Sequence, residues 1–156
     1  MKASAAAAAG TVVSVNTSRK KGQFKTPVAS AEFVAGLGIK GDAHLGFAHR
    51  QVSLLMIEDV EEQKSRLAAG PSVPLGPGAF AENLTTRMID LGSLSIGDEL
   101  AVGHGIRMRV SQIGKECHTK CAVFHLTGDC IMPGRGIFCE VLVGGTVRPG
   151  DAIEKR

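Results

Sequence analysis

Leu94-Ser95-Ile96-Gly97-Asp98-Glu99-Leu100 is echoed later in the chain by Thr146-Val147-Arg148-Pro149-Gly150-Asp151-Ala152-Ile153. Each copy runs from an apolar strand end through a Gly-Asp turn into a second apolar strand. Glycine supplies the backbone freedom a tight turn needs, and aspartate hydrogen-bonds the turn's own backbone. Two copies are too few for a solenoid, which needs at least three stacked units to bury a core. They read as tight β-turns of a barrel.

The flanking segments agree. Between the copies, Ile106 to Ile113 alternates apolar and polar residues as a half-buried strand does. Cys117 to Leu126 is expected to form a short helical turn, and Gly136 to Val143 a short helix or strand. Upstream, Arg50-Gln51-Val52-Ser53-Leu54-Leu55-Met56 reads as a largely buried strand. From Ile57 to Leu67, the side chains of Ile57, Val60 and Leu67 and the stem of Lys64 share one helical face, and Ala69-Gly70-Pro71 stops the helix. Thr11 to Asn16 is a β-branched first strand. The segment Thr17 to Thr26 (TSRKKGQFKT) reads as a solvated basic loop with Arg19-Lys20-Lys21 at its tip. Pro27 to Val34 is expected as a second strand, and the three glycines between Gly36 and Gly41 to break regular structure. Many short strands with a few short helices predict a mostly β protein, a bent β-barrel.

The chain has 156 residues, which suits one domain: an N-terminal arm of small residues over 1–9 and a single barrel over 10–156. With 44% hydrophobic and 21% charged residues, the composition excludes a disordered or collagen-like chain. No run of 18 apolar residues exists, so no membrane partner is expected. The net charge is only +3, and six Phe with neither Trp nor Tyr are few stacking platforms, so no nucleic-acid partner is expected either. The first residues do not read as a signal peptide. All four cysteines, Cys117, Cys121, Cys130 and Cys139, fall in one short window, which suggests reduced thiols and a cytoplasmic location.

Cys117 is the first candidate for chemistry. Lys115, His118 and Lys120 surround it in sequence, and such neighbours favour the thiolate that a nucleophile or metal ligand requires. Cys121 would share its helical face, whereas Cys130 and Cys139 read as ordinary packed cysteines. A structural zinc site competes, although only Cys117-x3-Cys121 has the close spacing zinc prefers. Asp42 and His44 form a possible acid/base or ligand pair, with a turn aspartate as the plainer alternative. Arg50, at the start of an apolar strand, calls for an anionic partner or ligand. Glu82-Asn83 reads as a polar clamp after a glycine-rich loop.

In this order, these pieces resemble the MOSC family, named after the C-terminal domain of molybdenum cofactor sulfurase. The resemblance is carried by Gly38-Ile39-Lys40-Gly41-Asp42-Ala43-His44, Arg50-Gln51-Val52-Ser53-Leu54, Gly78-Ala79-Phe80-Ala81-Glu82-Asn83-Leu84, Leu94-Ser95-Ile96-Gly97-Asp98, Cys117 and Arg148-Pro149-Gly150-Asp151. It implies a bent barrel and a pterin-based molybdenum cofactor, with one cysteine ligating the metal or carrying sulfur. The family cysteine follows a Gln-x-x-x-x-Cys segment. Gln112 to Cys117 fits that spacing, with Cys121 as the alternative one helical turn on. Where the family often has Arg and Pro before the cysteine, this chain has Gly114-Lys115-Glu116, and Lys115 takes the place of the missing charge.

The implied anion calls for Arg50, Lys115, Lys120 and Arg135 as a cradle, with Asp42, His44 and Asn83 orienting it. The chain is then expected to act in sulfuration, delivery or use of the molybdenum cofactor, or as a reductase component for N-hydroxylated compounds. Pyridoxal phosphate stays open as a ligand. The partners would be cofactor-biosynthesis proteins or molybdoenzymes. A reductase would also need a redox partner protein, because the chain has neither a ferredoxin cysteine spacing nor a dinucleotide fingerprint. The reading from another class is a non-catalytic barrel with structural or zinc-bound cysteines.

Overall fold

The structure, a computed structural model, describes residues 8–21, 24–48, 50–66, 76–114 and 135–156. These form eleven strands and one α-helix. The strands are β1 (Ala9–Thr17), β2 (Thr26–Val28), β3 (Ala31–Val34), β4 (Gly38–Ile39), β5 (Val52–Met56), β6 (Leu84–Arg87), β7 (Glu99–Val102), β8 (Ile106–Ile113), β9 (Ile137–Val143), β10 (Gly145–Val147) and β11 (Ala152–Lys155). The helix is α1 (Ile57–Arg66), and a 3-10 turn spans Leu91–Ser93.

Seven strands close a barrel in the order β11-β7-β8-β9-β5-β6-β1, with β1 returning to β11 and β2 added outside β1. A small second sheet, β10-β3-β4, packs beside it. The barrel interior holds one continuous apolar cluster, including Val12, Val52, Leu54, Leu84, Leu100, Met108, Val110, Ile137, Cys139, Val141 and Ile153. Side-chain alternation explains its membership: Ile106, Met108 and Val110 of β8 are buried, while Arg107 and Arg109 between them are not.

The two Gly-Asp turns are built alike. Asp98 accepts a hydrogen bond from the Ser95 backbone N–H at 2.8 Å, and Asp151 accepts one from the Arg148 N–H, also at 2.8 Å. Gly97 and Gly150 adopt φ of 97° and 96°, a conformation that favours glycine. The turns launch β7 and β11, which pair antiparallel with each other. The first is preceded by the 3-10 turn, not by the expected strand.

Elsewhere the expectations are refined. Of the segment 136–143, Ile137–Val143 is strand β9. The strand expected over Pro27–Val34 is two: β2 pairs with β1 at the outer edge, and β3 belongs to the second sheet. Pro27 has no N–H to offer a further neighbour, which suits an edge strand. Gly38-Ile39, expected as a break, pairs with Val34 and Phe33 as a short hairpin. Ala9 at the start of β1 pairs with Glu154 of β11.

The helix is α1 as expected, with Glu58 and Asp59 in its first turn, where acids complement the helix dipole. It buries Ile57 and Val60 against Leu55, Ala79 and Phe80 outside the barrel. Asp59 and Gln63 are also buried, and Lys64 is exposed, contrary to the expected face; Leu67 lies outside the described residues. The strands β5 and β6, on either side of α1 in the chain, are parallel. No helix among the described residues is long and apolar enough to cross a membrane.

Candidate functional site

A bulge on β8 builds the first part of the site. The register changes between Val110 and Gln112, so Val110 faces Cys139 on β9 but Gln112 faces Phe138. In unbroken alternation Gln112 would point inward with Val110. The extra residue turns it outward beside Phe138, which lies between the core residues Ile137 and Cys139 and so faces away from the interior. Ser53 of β5 is the neighbour of Phe138 on the other side.

Arg50 lies across this outer face. Its Nε donates to Gln112 Oε1 at 3.0 Å, and its guanidinium carbon sits 5.7 Å from the centroid of the Phe138 ring. Gln112 Nε2 in turn donates to the Gly114 carbonyl at 2.8 Å. Arg50 is half-buried, and no described carboxylate pairs with it. The anionic partner expected from sequence is therefore absent among the described residues, where an amide oxygen and an aromatic face hold the cation instead. The Gly114 N–H donates to the Gly136 carbonyl at 2.8 Å, which brings together the two ends flanking residues 115–134. Cys117, Cys121, Lys115 and Lys120 lie outside the described residues.

The second part is a buried ion pair. Lys25 Nζ is 2.9 Å from Asp42 Oδ1, and both side chains are 0% exposed. This corrects the reading of Thr17–Thr26 as wholly solvated: Lys25 points inward, while Arg19, Lys20 and Lys21 are exposed as expected. Asp42 also accepts from the backbone N–H groups of Ser18 and His44, and Lys25 donates to Ser18 Oγ. His44 Nδ1 lies 3.5 Å from both Lys25 Nζ and Asp42 Oδ2. Burial alone would raise the Asp42 pKa, but hydrogen bonding from His44 and the Lys25 charge hold it well below the usual carboxylate range. Asp42 is thus both a turn aspartate and an anchor for His44.

The third part is the Glu82-Asn83 pair, which is wholly internal. Glu82 accepts from the Gly78 and Phe80 N–H groups and from the Thr85 hydroxyl. Asn83 Nδ2 donates to the Asn16 carbonyl, and its Oδ1 accepts from the Ser53 N–H and hydroxyl. These bonds tie β1 and β5 to the chain ahead of β6. Asn83, expected among the cofactor-orienting groups, spends its amide on the protein itself. Burial pushes the Glu82 carboxyl above its ordinary pKa, partly offset by the Gly78 and Thr85 donors.

Arg135 stands apart from Arg50 in its contacts: its Nε donates to Asp59 Oδ2 at 3.1 Å on α1. That bond raises the Arg135 pKa. Cys139 is buried, and burial pushes its thiol pKa up, so it is an inert packed cysteine as expected. No group of three His, Cys, Asp or Glu side chains among the described residues is arranged to hold a metal.

A model of the MOSC domain matches residues 41–154, most of the chain. The chain belongs to the MOSC domain family. The family is generally associated with molybdenum cofactor binding. This MOSC domain is similar in structure to the YuaD protein from Bacillus subtilis, with a TM-score of 0.77 and 22% identity over 94% of this chain and 95% of that one. It is also similar to YiiM from Geobacillus stearothermophilus (TM-score 0.70, 22% identity, 94% and 75% covered) and to YiiM from Escherichia coli (0.69, 19%, 94% and 69%). These likenesses concern the fold. No curated protein matches this chain.

Two residues of the site were missed from sequence. Lys25 sits in a basic run whose composition suggests solvent, and only the adjacent Phe24 hints at burial. Gln112 served only as a spacing marker. Its signal is a polar residue where the alternation of Ile106, Met108 and Val110 calls for an apolar one.

Proposed function

We propose that this MOSC domain binds a pterin-based molybdenum cofactor on the outer barrel face at Arg50 and takes part in its sulfuration, delivery or use, with Cys117 as metal ligand or sulfur carrier. The carrying observation is Arg50 itself: a half-buried guanidinium, fixed at Nε by Gln112 and backed by Phe138, with no described carboxylate beside it. A planar cation held at one edge suits a phosphate or other oxyanion at its remaining nitrogens. Cys117 lies three residues beyond Gly114, at most about 11 Å of extended chain.

The donor chemistry fits the group. Arg50, with Lys115 and Lys120 as further cations, would hold the pterin phosphate, and the Cys117 thiolate is a soft ligand for the metal. When bound, the cofactor supplies two-electron or sulfur-transfer chemistry. The protein's own part is to orient Arg50 through Gln112 and to keep Asp42 ionised beside His44. The reductase role for N-hydroxylated compounds belongs to the same reading and differs in needing a separate electron donor.

The test is to oxidise the purified protein and measure fluorescent pterin, with molybdenum and zinc determined in parallel. Wild type is expected to release pterin. Arg50→Ala should retain about tenfold less, given about 1.5–3 kcal/mol for a hydrogen bond to a charged group. Cys117→Ser should lose molybdenum. Equal pterin in wild type, Arg50→Ala, Cys117→Ser and Cys121→Ser would refute the reading, as would stoichiometric zinc with no molybdenum.

A further inference from the structure

Three loops meet on the face that carries the buried ion pair. Residues 18–21 are joined to residues 41–48 by the Ala43 N–H donating to the Ser18 carbonyl, and residues 36–40 by the Gly46 N–H donating to the Leu37 carbonyl. The Lys25–Asp42 pair underlies the junction and fixes its shape. On this frame Leu37 is 45% exposed, Leu45 41% and Phe47 38%. Lys21 Nζ lies 3.5 Å from the centroid of the Phe47 ring.

The charge on these loops has one sign. Arg19, Lys20, Lys21 and Lys40 are all exposed. The sole acid in the three loops, Asp42, is buried and neutralised by Lys25. Beside them, the exposed carboxylate of Glu32 lies 4.0 Å from Lys40. The whole chain carries only +3, so these loops hold a disproportionate share of its positive field. An aromatic and two leucines among cations have the make-up of an interface core with a steering rim.

We propose that this Leu37-Leu45-Phe47 face is the docking surface for an acidic partner protein. Charge complementarity selects the partner: carboxylates meet Arg19, Lys20, Lys21 and Lys40, and apolar side chains cover the leucines and Phe47. The face adjoins Arg50, whose backbone N–H donates to the Phe47 carbonyl at 2.9 Å, but the docking needs no bound cofactor and is read by partner affinity alone, so it can stand or fall without the cofactor reading.

The experiment places a photo-crosslinking residue at Leu45 of the full chain in its native cells, with the exposed Met88 position as control. The captured protein is identified by mass spectrometry and purified, and its binding to the wild-type chain is measured. The expected result is capture of an acidic protein at Leu45 and not at Met88. Its Kd should weaken about tenfold between 50 and 300 mM salt, as screening of exposed charges requires. It should weaken at least tenfold again in Lys20→Glu/Lys21→Glu and in Phe47→Ser, both with wild-type melting temperatures. Equal capture at both positions would overturn the proposal, as would binding indifferent to salt and to these variants. Binding of phosphatidylglycerol vesicles, of tRNA or of a second copy of the chain that is lost in the same variants would overturn it in favour of that occupant.

Discussion

Asp42 and Glu82 are both buried carboxylates in loops beside the barrel, and their surroundings push them in opposite directions. Asp42 faces an ammonium at 2.9 Å and is held ionised. Glu82 has two backbone N–H groups and a hydroxyl but no cation in contact among the described residues, and burial raises its pKa. At Glu82 hydrogen bonds offset only part of the cost of burying a charge, whereas at Asp42 hydrogen bonding from His44 together with the Lys25 charge reverses it. Asp42 thus behaves as a fixed anion near the surface, and Glu82 as an internal staple whose proton is negotiable.

The largest effect should come from removing the counter-charge. Lys25→Met leaves Asp42 buried without its cation, at an expected cost of about 3–5 kcal/mol. Urea denaturation at pH 7 measures it, and a loss under 1 kcal/mol would mean that the pair contributes little. The defect should shrink at acid pH, where Asp42 can take up a proton.

Glu82→Gln probes the other side. Gln keeps the shape but offers one acceptor oxygen where Glu82 uses both, so a donor loses its partner, at about 1–3 kcal/mol. The two carboxylates also set opposite pH slopes. For Asp42, with a depressed folded pKa, the contribution is complete above the ordinary aspartate value of about 3.9 and fades as pH falls below it. For Glu82, with a raised folded pKa, stability is complete below the ordinary glutamate value of about 4.3 and declines as pH rises above it. The gap between wild type and Glu82→Gln should therefore be widest near pH 4 and narrow towards neutrality. A gap that widens with pH would show that Glu82 is stabilised as a charge.

The smallest effect should belong to His44→Ala. Its ring contacts to Lys25 and Asp42 are 3.5 Å long, beyond good hydrogen-bond distance. Thermal stability should change by less than about 1 kcal/mol, because the backbone N–H that Asp42 accepts remains. If pterin content falls while stability holds, the imidazole serves the ligand and not the fold.

The contrast also marks what the sequence could reveal. The turns at Gly97-Asp98 and Gly150-Asp151, the strand Ile106–Ile113 and the helix from Ile57 are governed by local chemistry, and each was legible. Asp42 and Glu82 are both single acids after a glycine-rich stretch. Their difference lies in whether Lys25, 17 residues upstream of Asp42, folds inward. Within TSRKKGQFKT only the neighbouring Phe24 separates Lys25 from Lys20 or Lys21, and tertiary context does the rest. Arg50 was legible as a cation in search of a partner, but Gln112 meets it only because of a bulge whose one mark in the sequence is a polar residue at an apolar position. Asn83 was legible as functional polarity, and the fold uses it to hold strands together.

The pairing of β11 between β1 and β7 has a consequence for how the molecule is made. The first barrel strand must wait for Ala152–Lys155 before the wall can close. During synthesis the exposed edges of β1 and β7 therefore face the cell unpaired, and such long-range pairing is slow to form. A chaperone would find its target along that seam, and a nascent chain halted before residue 152 would be an open sheet prone to joining its neighbours.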